Sequence, residues 1–322
     1  MNNLAIILTG KMEMIFTETN YFTKVYYHIG TNYKNILFIC VANIDDEILN
    51  INLNNYFKSL NHIIINYKDY ENEFKIGLNN KLDDINYKKI FEKYNKNNSM
   101  AISTKEIEDP KDHLSSVIQS HQLQLGLKTL IDYEKKNNIT YDIIMRTRFD
   151  IKYPDFFYPH IPSDILHFNN LNKNIIQNSM NRLNLKNIDD LIEFNKNNKI
   201  QLPDCRIYDS DKINVTFGGA YFHNAKNLEK IKNGCKDFIY FFNDYFYFGK
   251  RELMLKLYNM FNESFLIEPD EENKELYNHI YSPESQMIIY LLKKDINFLM
   301  YNNNTFSVIR QWEYIHSRLN NI

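Results

Sequence analysis

The residue types best suited to chemistry in this chain stand at alternate positions in Arg146-Thr-Arg-Phe-Asp150. In an extended segment alternate side chains share one face, so the Arg146 and Arg148 guanidinium groups and the Asp150 carboxylate would point the same way. A guanidinium is a fixed fork of donors that matches phosphate oxygens. One carboxylate, completed by water and substrate phosphates, is a usual arrangement for Mg2+ or Mn2+. The group therefore suits a diphosphate and its divalent cation. The competing reading is local: Asp150 pairs with Arg148, or caps the next segment.

The element that must carry these charges precedes them. Tyr141, Ile143, Ile144 and Met145 form a short apolar run of the kind found in buried strands. The run stops at Arg146, and Pro154 forbids simple continuation in a central strand. A buried strand that delivers charges from its C-terminal end is how open α/β sheets build ligand sites. Leu114, Val117, His121, Gln124 and Leu127 recur at helical spacing, so Leu114–Lys136 reads as a long helix beneath that sheet. His121 on this face reads as a satisfied core histidine rather than a metal ligand.

The order of parts around the charged triplet is informative. A helix-like stretch closing at Asp132-Tyr-Glu-Lys-Lys-Asn-Asn138 leads into Tyr141-Asp, an apolar strand and Arg-x-Arg-x-Asp. This order resembles sugar-nucleotide-dependent glycosyltransferases of the GT-A fold. Leu4-Ala-Ile-Ile-Leu-Thr-Gly-Lys11 is similar to the opening strand and glycine turn of such enzymes. Tyr281-Ser-Pro-Glu-Ser-Gln-Met-Ile-Ile-Tyr-Leu-Leu292 is similar to their late helix, which begins at a Pro-Glu. The resemblance implies an α/β fold in one large domain, with a mostly parallel, Rossmann-type central sheet flanked by helices. Residues 1–160 would form the half that binds the nucleotide-sugar donor. Residues 161–322 would form the acceptor half, with a helical insertion at about 169–200.

The same resemblance assigns roles. Asp150 stands where many relatives carry an Asp-x-Asp metal motif, and would hold Mn2+ or Mg2+ against the diphosphate of a nucleoside-diphosphate sugar. Arg146 and Arg148 would orient the donor or stabilise departing charge, with a structural strut as the alternative for one of them. Thr9 and Gly10 close the first strand at the donor, and Lys11 supplies a positive charge to its phosphate or is a surface lysine. In Asp209-Ser-Asp-Lys-Ile-Asn-Val-Thr-Phe-Gly-Gly-Ala-Tyr-Phe222, Gly218 and Gly219 let backbone approach a sugar ring, and Asp211 hydrogen-bonds hydroxyls or caps a turn. Glu284 in Ser282-Pro-Glu-Ser either caps a helix start or serves, like Asp211, as the base that deprotonates an acceptor hydroxyl. The acceptor is a glycan, protein or lipid. Lys11-Met-Glu-Met, where relatives commonly carry arginine, and the missing first half of Asp-x-Asp keep a second class open. That class is a noncatalytic nucleotide- or carbohydrate-binding module with the same fold.

Composition narrows the field further. A formal charge of −2 and a pI near 6.5 supply no basic field for nucleic acid. Phosphate-loop and dinucleotide fingerprints are absent from the sequence, which disfavours kinases. Three scattered cysteines lack zinc or disulfide spacing and read as reduced, buried thiols. Asparagine takes about one residue in seven, the mark of an AT-rich coding sequence. No stretch reaches the roughly 20 apolar residues of a membrane span, and Leu4–Leu8 is short for a signal core. The chain thus reads as soluble and cytoplasmic, with its oligomeric state open.

Strands are expected at Leu4–Thr9, Ile36–Val41, His62–Asn66 and Ile165–Phe168. Helices are expected at Asn20–His28 and Leu53–Leu60, with surface helices and a loop from Tyr67 to Asp112. The aromatic stretch Leu228–Tyr247 is expected to form a helix or helix pair.

Overall fold

The computed structural model describes residues 2–10, 33–44, 47–82, 114–149, 151–152, 237–242, 246–263, 290–300 and 307–308. Isolated positions between 181 and 193, between 230 and 235, and at 287 are also described. The elements in chain order are β1 (Asn3–Thr9), β2 (Asn35–Ala42), α1 (Glu47–Phe57), β3 (His62–Asn66) and α2 (Glu71–Leu82). They continue with α3 (Leu114–Asn137), β4 (Ile143–Arg148), β5 (Ile151–Lys152), β6 (Ile239–Phe242) and β7 (Phe246–Lys250). Then follow α4 (Arg251–Leu255), α5 (Met260–Glu263), β8 (Phe298–Met300) and β9 (Ser307–Val308).

Strands β1, β2 and β4 lack hydrophobic alternation because both of their faces are covered, as in parallel α/β sheets. They belong to a seven-stranded sheet of order β3-β2-β1-β4-β7-β6-β8. The strands from β3 to β4 are parallel, β7 is antiparallel to both its neighbours, and β8 is parallel to β6. The fold class is therefore α/β with a mostly parallel sheet, and strands from both halves of the chain join that sheet. Strands β5 and β9 pair separately as a two-stranded ribbon.

Helix α3 covers one face. Leu123, Leu127 and Leu130 pack in one buried cluster with Ala5, Ile7, Leu37, Ile39, Val41, Ile144 and Tyr247. Gly126 sets the helix against β1: a Cβ there would lie 2.5 Å from Ile7 Cγ2. The opposite face is equally dry, with Ile6, Leu8, Phe38, Cys40 and Met145 all buried. On that side Phe57 of α1 packs its ring 5.7 Å from that of Phe38. Burial pushes the Cys40 thiol well above its ordinary range, so it behaves as a small apolar side chain.

His121 is a core residue. Its Nδ1 lies 2.9 Å from the Tyr67 hydroxyl, and its ring lies 4.6 Å from that of Phe261 and 5.6 Å from that of Phe74. Desolvation lowers its pKa below the ordinary value, and Glu73 partly opposes that shift.

Two expectations change. The stretch Leu228–Tyr247 is expected to be helical, but Ile239–Phe242 and Phe246–Lys250 form an antiparallel strand pair. Aromatic side chains suit a pleated, packed surface. Helix α1 also begins at Glu47, earlier than Leu53, because Glu47 favours a helix start. The strand expected at Ile165–Phe168, the helix expected at Asn20–His28 and nearly all of the 169–200 insertion lie outside the described residues.

The N-terminal ends of the central strands are held by polar groups that satisfy one another. Arg251 grips Glu134 with Nε at 3.0 and 3.1 Å and Nη2 at 2.7 Å from the two carboxylate oxygens. Glu134 Oε1 also accepts the Tyr141 N–H at 2.9 Å. Asp142 Oδ2 accepts the Asn3 N–H at 2.8 Å, and the Asn3 side chain donates to the Thr140 carbonyl at 2.7 Å. These bonds tie α3, β1, β4 and α4 together beneath the sheet.

Candidate functional site

The chain leaves β1 towards β2 and β3 on one side and returns to β4 on the other. The C-terminal ends of β1 and β4 therefore flank the point where strand order reverses, which is where open α/β sheets bind ligands. Register aligns Thr9 with Arg148 and Ile7 with Arg146, and Arg146 in turn with Tyr247 of β7. The Phe149 N–H donates to the Thr9 carbonyl at 3.1 Å, which extends the tie past the end of β4. Ile151 pairs with Val308, so the chain is fixed on both sides of position 150.

Gly10 has φ 106°, a backbone conformation that costs a side-chain-bearing residue strain. The glycine stops β1 and turns the chain away at the sheet edge.

The two arginines occupy different environments, although the strand alternation gives them the same face. Arg146 lies inside β4 rather than beyond its end and is only 2% exposed. Its Nε donates to Thr9 Oγ1 at 3.1 Å and its Nη2 to Gln119 Oε1 at 2.8 Å. Its Cζ lies 5.4 Å from the Tyr247 ring centroid, a cation–π contact. Arg146 thus braces α3 against β1, the strut that the sequence reading allowed for one arginine. Thr9 is fully buried, and its hydroxyl is turned to this brace. Arg148, the last residue of β4, is half-buried at the rim.

The loop after β2 is shaped by Asn66 at the end of β3. Its Oδ1 accepts the Ile44 N–H at 3.1 Å and the Lys68 N–H at 3.2 Å. This clamp holds the C-terminal ends of β2 and β3 together.

Lys11, Asp150, Asp211, Gly218, Gly219 and Glu284 lie outside the described residues. Among the described residues no three His, Cys, Asp or Glu side chains gather as a metal site, and no helix is long and apolar enough to cross a membrane.

Sequence reasoning did not foresee that Gln119 and Tyr247 hold Arg146. The signal for Gln119 was present: positions 119, 123, 126 and 130 form one helical stripe, and a glutamine on a buried stripe needs a polar partner. Tyr247 was read as helical core, which hid its alignment with Arg146.

Fold and edge together define a mixed-sheet α/β protein with polar residues at the β1/β4 switch point. Neither a family model, nor a curated protein, nor a solved structure matches the chain.

Proposed function

We propose that the protein is a metal-dependent glycosyltransferase of GT-A type. It moves a sugar from a nucleoside-diphosphate donor to a hydroxyl of a glycan, protein or lipid acceptor. The observation that carries the reading is the alignment of Thr9, and with it the Gly10 turn, beside rim residue Arg148 at the switch point. The strand order β3-β2-β1-β4 followed by one reversed strand also accords with the resemblance read from the sequence.

The chemical task is to expel a diphosphate while positive charge develops on the sugar. Arg148, half-buried at the rim, would direct its donor fork to the phosphates, and the positive-φ turn at Gly10 keeps side-chain bulk away from the backbone they approach. Arg146 keeps β1, β4 and α3 in fixed relation so that the donor meets a rigid edge. Asp150, two residues beyond Arg148, is placed by sequence to hold Mn2+ or Mg2+, which when bound neutralises the leaving diphosphate. In transfer, the bond from the anomeric carbon to phosphate oxygen breaks and a bond to the acceptor oxygen forms. In an inverting reaction the acceptor proton goes to a carboxylate, Glu284 or Asp211; a retaining reaction does not require that base.

The test is incubation of the full chain with several nucleotide sugars and Mn2+, following slow donor hydrolysis and transfer to a panel of acceptors. The account expects hydrolysis of at least one donor and its loss in Asp150→Asn. Binding without hydrolysis or transfer would favour the noncatalytic module. Unchanged turnover in Asp150→Asn would remove that residue from its role.

A further inference from the structure

Strand β3 ends the sheet and, among the described residues, pairs only with β2. The register shows which of its backbone groups that pairing uses. Phe38 is aligned with His62, and its N–H donates to the Asn61 carbonyl at 2.9 Å. Bonds in a parallel ladder recur at every second residue, so Ile63 and Ile65 turn their N–H and C=O groups to β2. His62, Ile64 and Asn66 turn theirs outward. Such a row is a template for another strand, and proteins that keep an edge single guard it with charge, proline or a bulge. β3 has none of these. It reads His-Ile-Ile-Ile-Asn, its ladder runs unbroken from His62 to Asn66, and Ile63 and Ile64 are only half-buried.

The outward groups also point to their partner, because they are centred on Ile64. A second copy turned about a two-fold axis there sets Ile64 opposite Ile64 and His62 opposite Asn66. The N–H and C=O groups of the two Ile64 residues then bond reciprocally, and each Asn66 N–H meets a His62 carbonyl. Antiparallel order also brings the segment before β3 in one copy beside the segment after β3 in the other. The first carries exposed Lys58. In the second, Asp69, Glu71 and Glu73 outnumber Lys68 and Lys75. Opposite charges therefore flank the seam at both ends, whereas a parallel pair would set like against like. An unrelated strand would meet the backbone groups but not this two-fold match of length and charge.

We infer that β3 is a homodimerisation edge, at which two copies of the chain pair antiparallel about Ile64 and join their sheets into one. The inference stands apart from the sugar-transfer reading, since β2 separates β3 from the β1/β4 switch point. The axis is perpendicular to the sheet, so both copies of α1 lie on the same face, and α1 carries Ile51 at 52% exposure. A five-residue strand alone buries less than the roughly 1,200 Å² of a lasting interface, so the dimer is reversible.

The experiment is sedimentation velocity of the full chain from micromolar to several hundred micromolar concentration. Wild type should shift from monomer to dimer by mass action. Ile64→Pro removes the outward N–H and leaves the β2 bonds of Ile63 and Ile65 in place. It should stay monomeric over the same range, with circular dichroism confirming that it is folded. Lys58→Glu should weaken the dimer roughly fivefold, and adding Asp69→Lys should restore it, a recovery that misfolding would not produce. A Lys58→Glu dimer as tight as wild type, or a double variant without recovery, would overturn the antiparallel pairing. A folded Ile64→Pro that dimerises as wild type does would overturn the inference. So would a wild type that is monomeric throughout, which would leave the edge to a strand of another protein.

Discussion

The two ends of the central strands are built from the same residue types to opposite effect. At the N-terminal end, Glu134, Arg251, Asp142 and Asn3 pair with one another and with backbone groups. Their charges are spent on joining α3, β1, β4 and α4. At the C-terminal end the polar groups are graded by depth. Arg146 is buried and braced by Thr9 and Gln119, and Arg148 stands half-buried at the rim. A buried, braced arginine supports a fold, whereas a half-buried one at a switch point stands where open α/β sheets receive ligands.

That contrast can be broken by substitution. The largest stability effect should come at the N-terminal end. Glu134→Ala leaves Arg251 and the Tyr141 N–H without their acceptor, and breaking a buried pair costs about 3–5 kcal/mol. The lower part of that range is expected, because the Arg251 side chain is 30% exposed. Urea unfolding would show a lower midpoint, and a change below about 1 kcal/mol would contradict the structural role. Next comes Arg146→Met, which strips Thr9 Oγ1 and Gln119 Oε1 of their donor and should cost about 1–3 kcal/mol. If Arg146→Met abolished nucleotide binding with no loss of stability, the division between brace and rim would fail.

The smallest effect is the pH response of His121. Its pKa is lowered in the folded protein, so the unfolded chain binds the extra proton first as pH falls. The stability this neutral histidine supports is fully present above its ordinary value of 6.5 and is lost as pH drops below that. Urea midpoints between pH 7.5 and 5.5 should decline in wild type and decline less in His121→Phe, which keeps the aromatic packing with Phe74 and Phe261.

Much of the sheet was legible in the sequence because its parallel strands are apolar runs bounded by turn residues. His62–Asn66 forms the expected strand, and Leu4–Thr9 and Ile36–Val41 each extend by one or two residues. The stretch Leu228–Tyr247 misled, since a run of Phe and Tyr has no period that separates a strand pair from a helix. Alternation correctly grouped Arg146 with Arg148, yet depth was invisible. Nothing in Arg-x-Arg says that the first lies under a helix carrying Gln119 and the second at its edge. That distinction depends on where α3 crosses β4, a tertiary fact.

The central claim, that the β1/β4 edge binds a nucleoside diphosphate through its rim, is tested most directly by thermal unfolding of wild type and Arg148→Met. Each would be scanned with UDP, GDP, ADP and CDP, with and without Mn2+. Binding to the native state raises its stability by about 2.7 kcal/mol at a hundredfold excess over Kd. The account predicts a clear rise in Tm with at least one diphosphate, larger with Mn2+. In Arg148→Met that rise should be largely lost. A wild type whose Tm ignores every diphosphate, or an Arg148→Met variant that responds as wild type does, would contradict it.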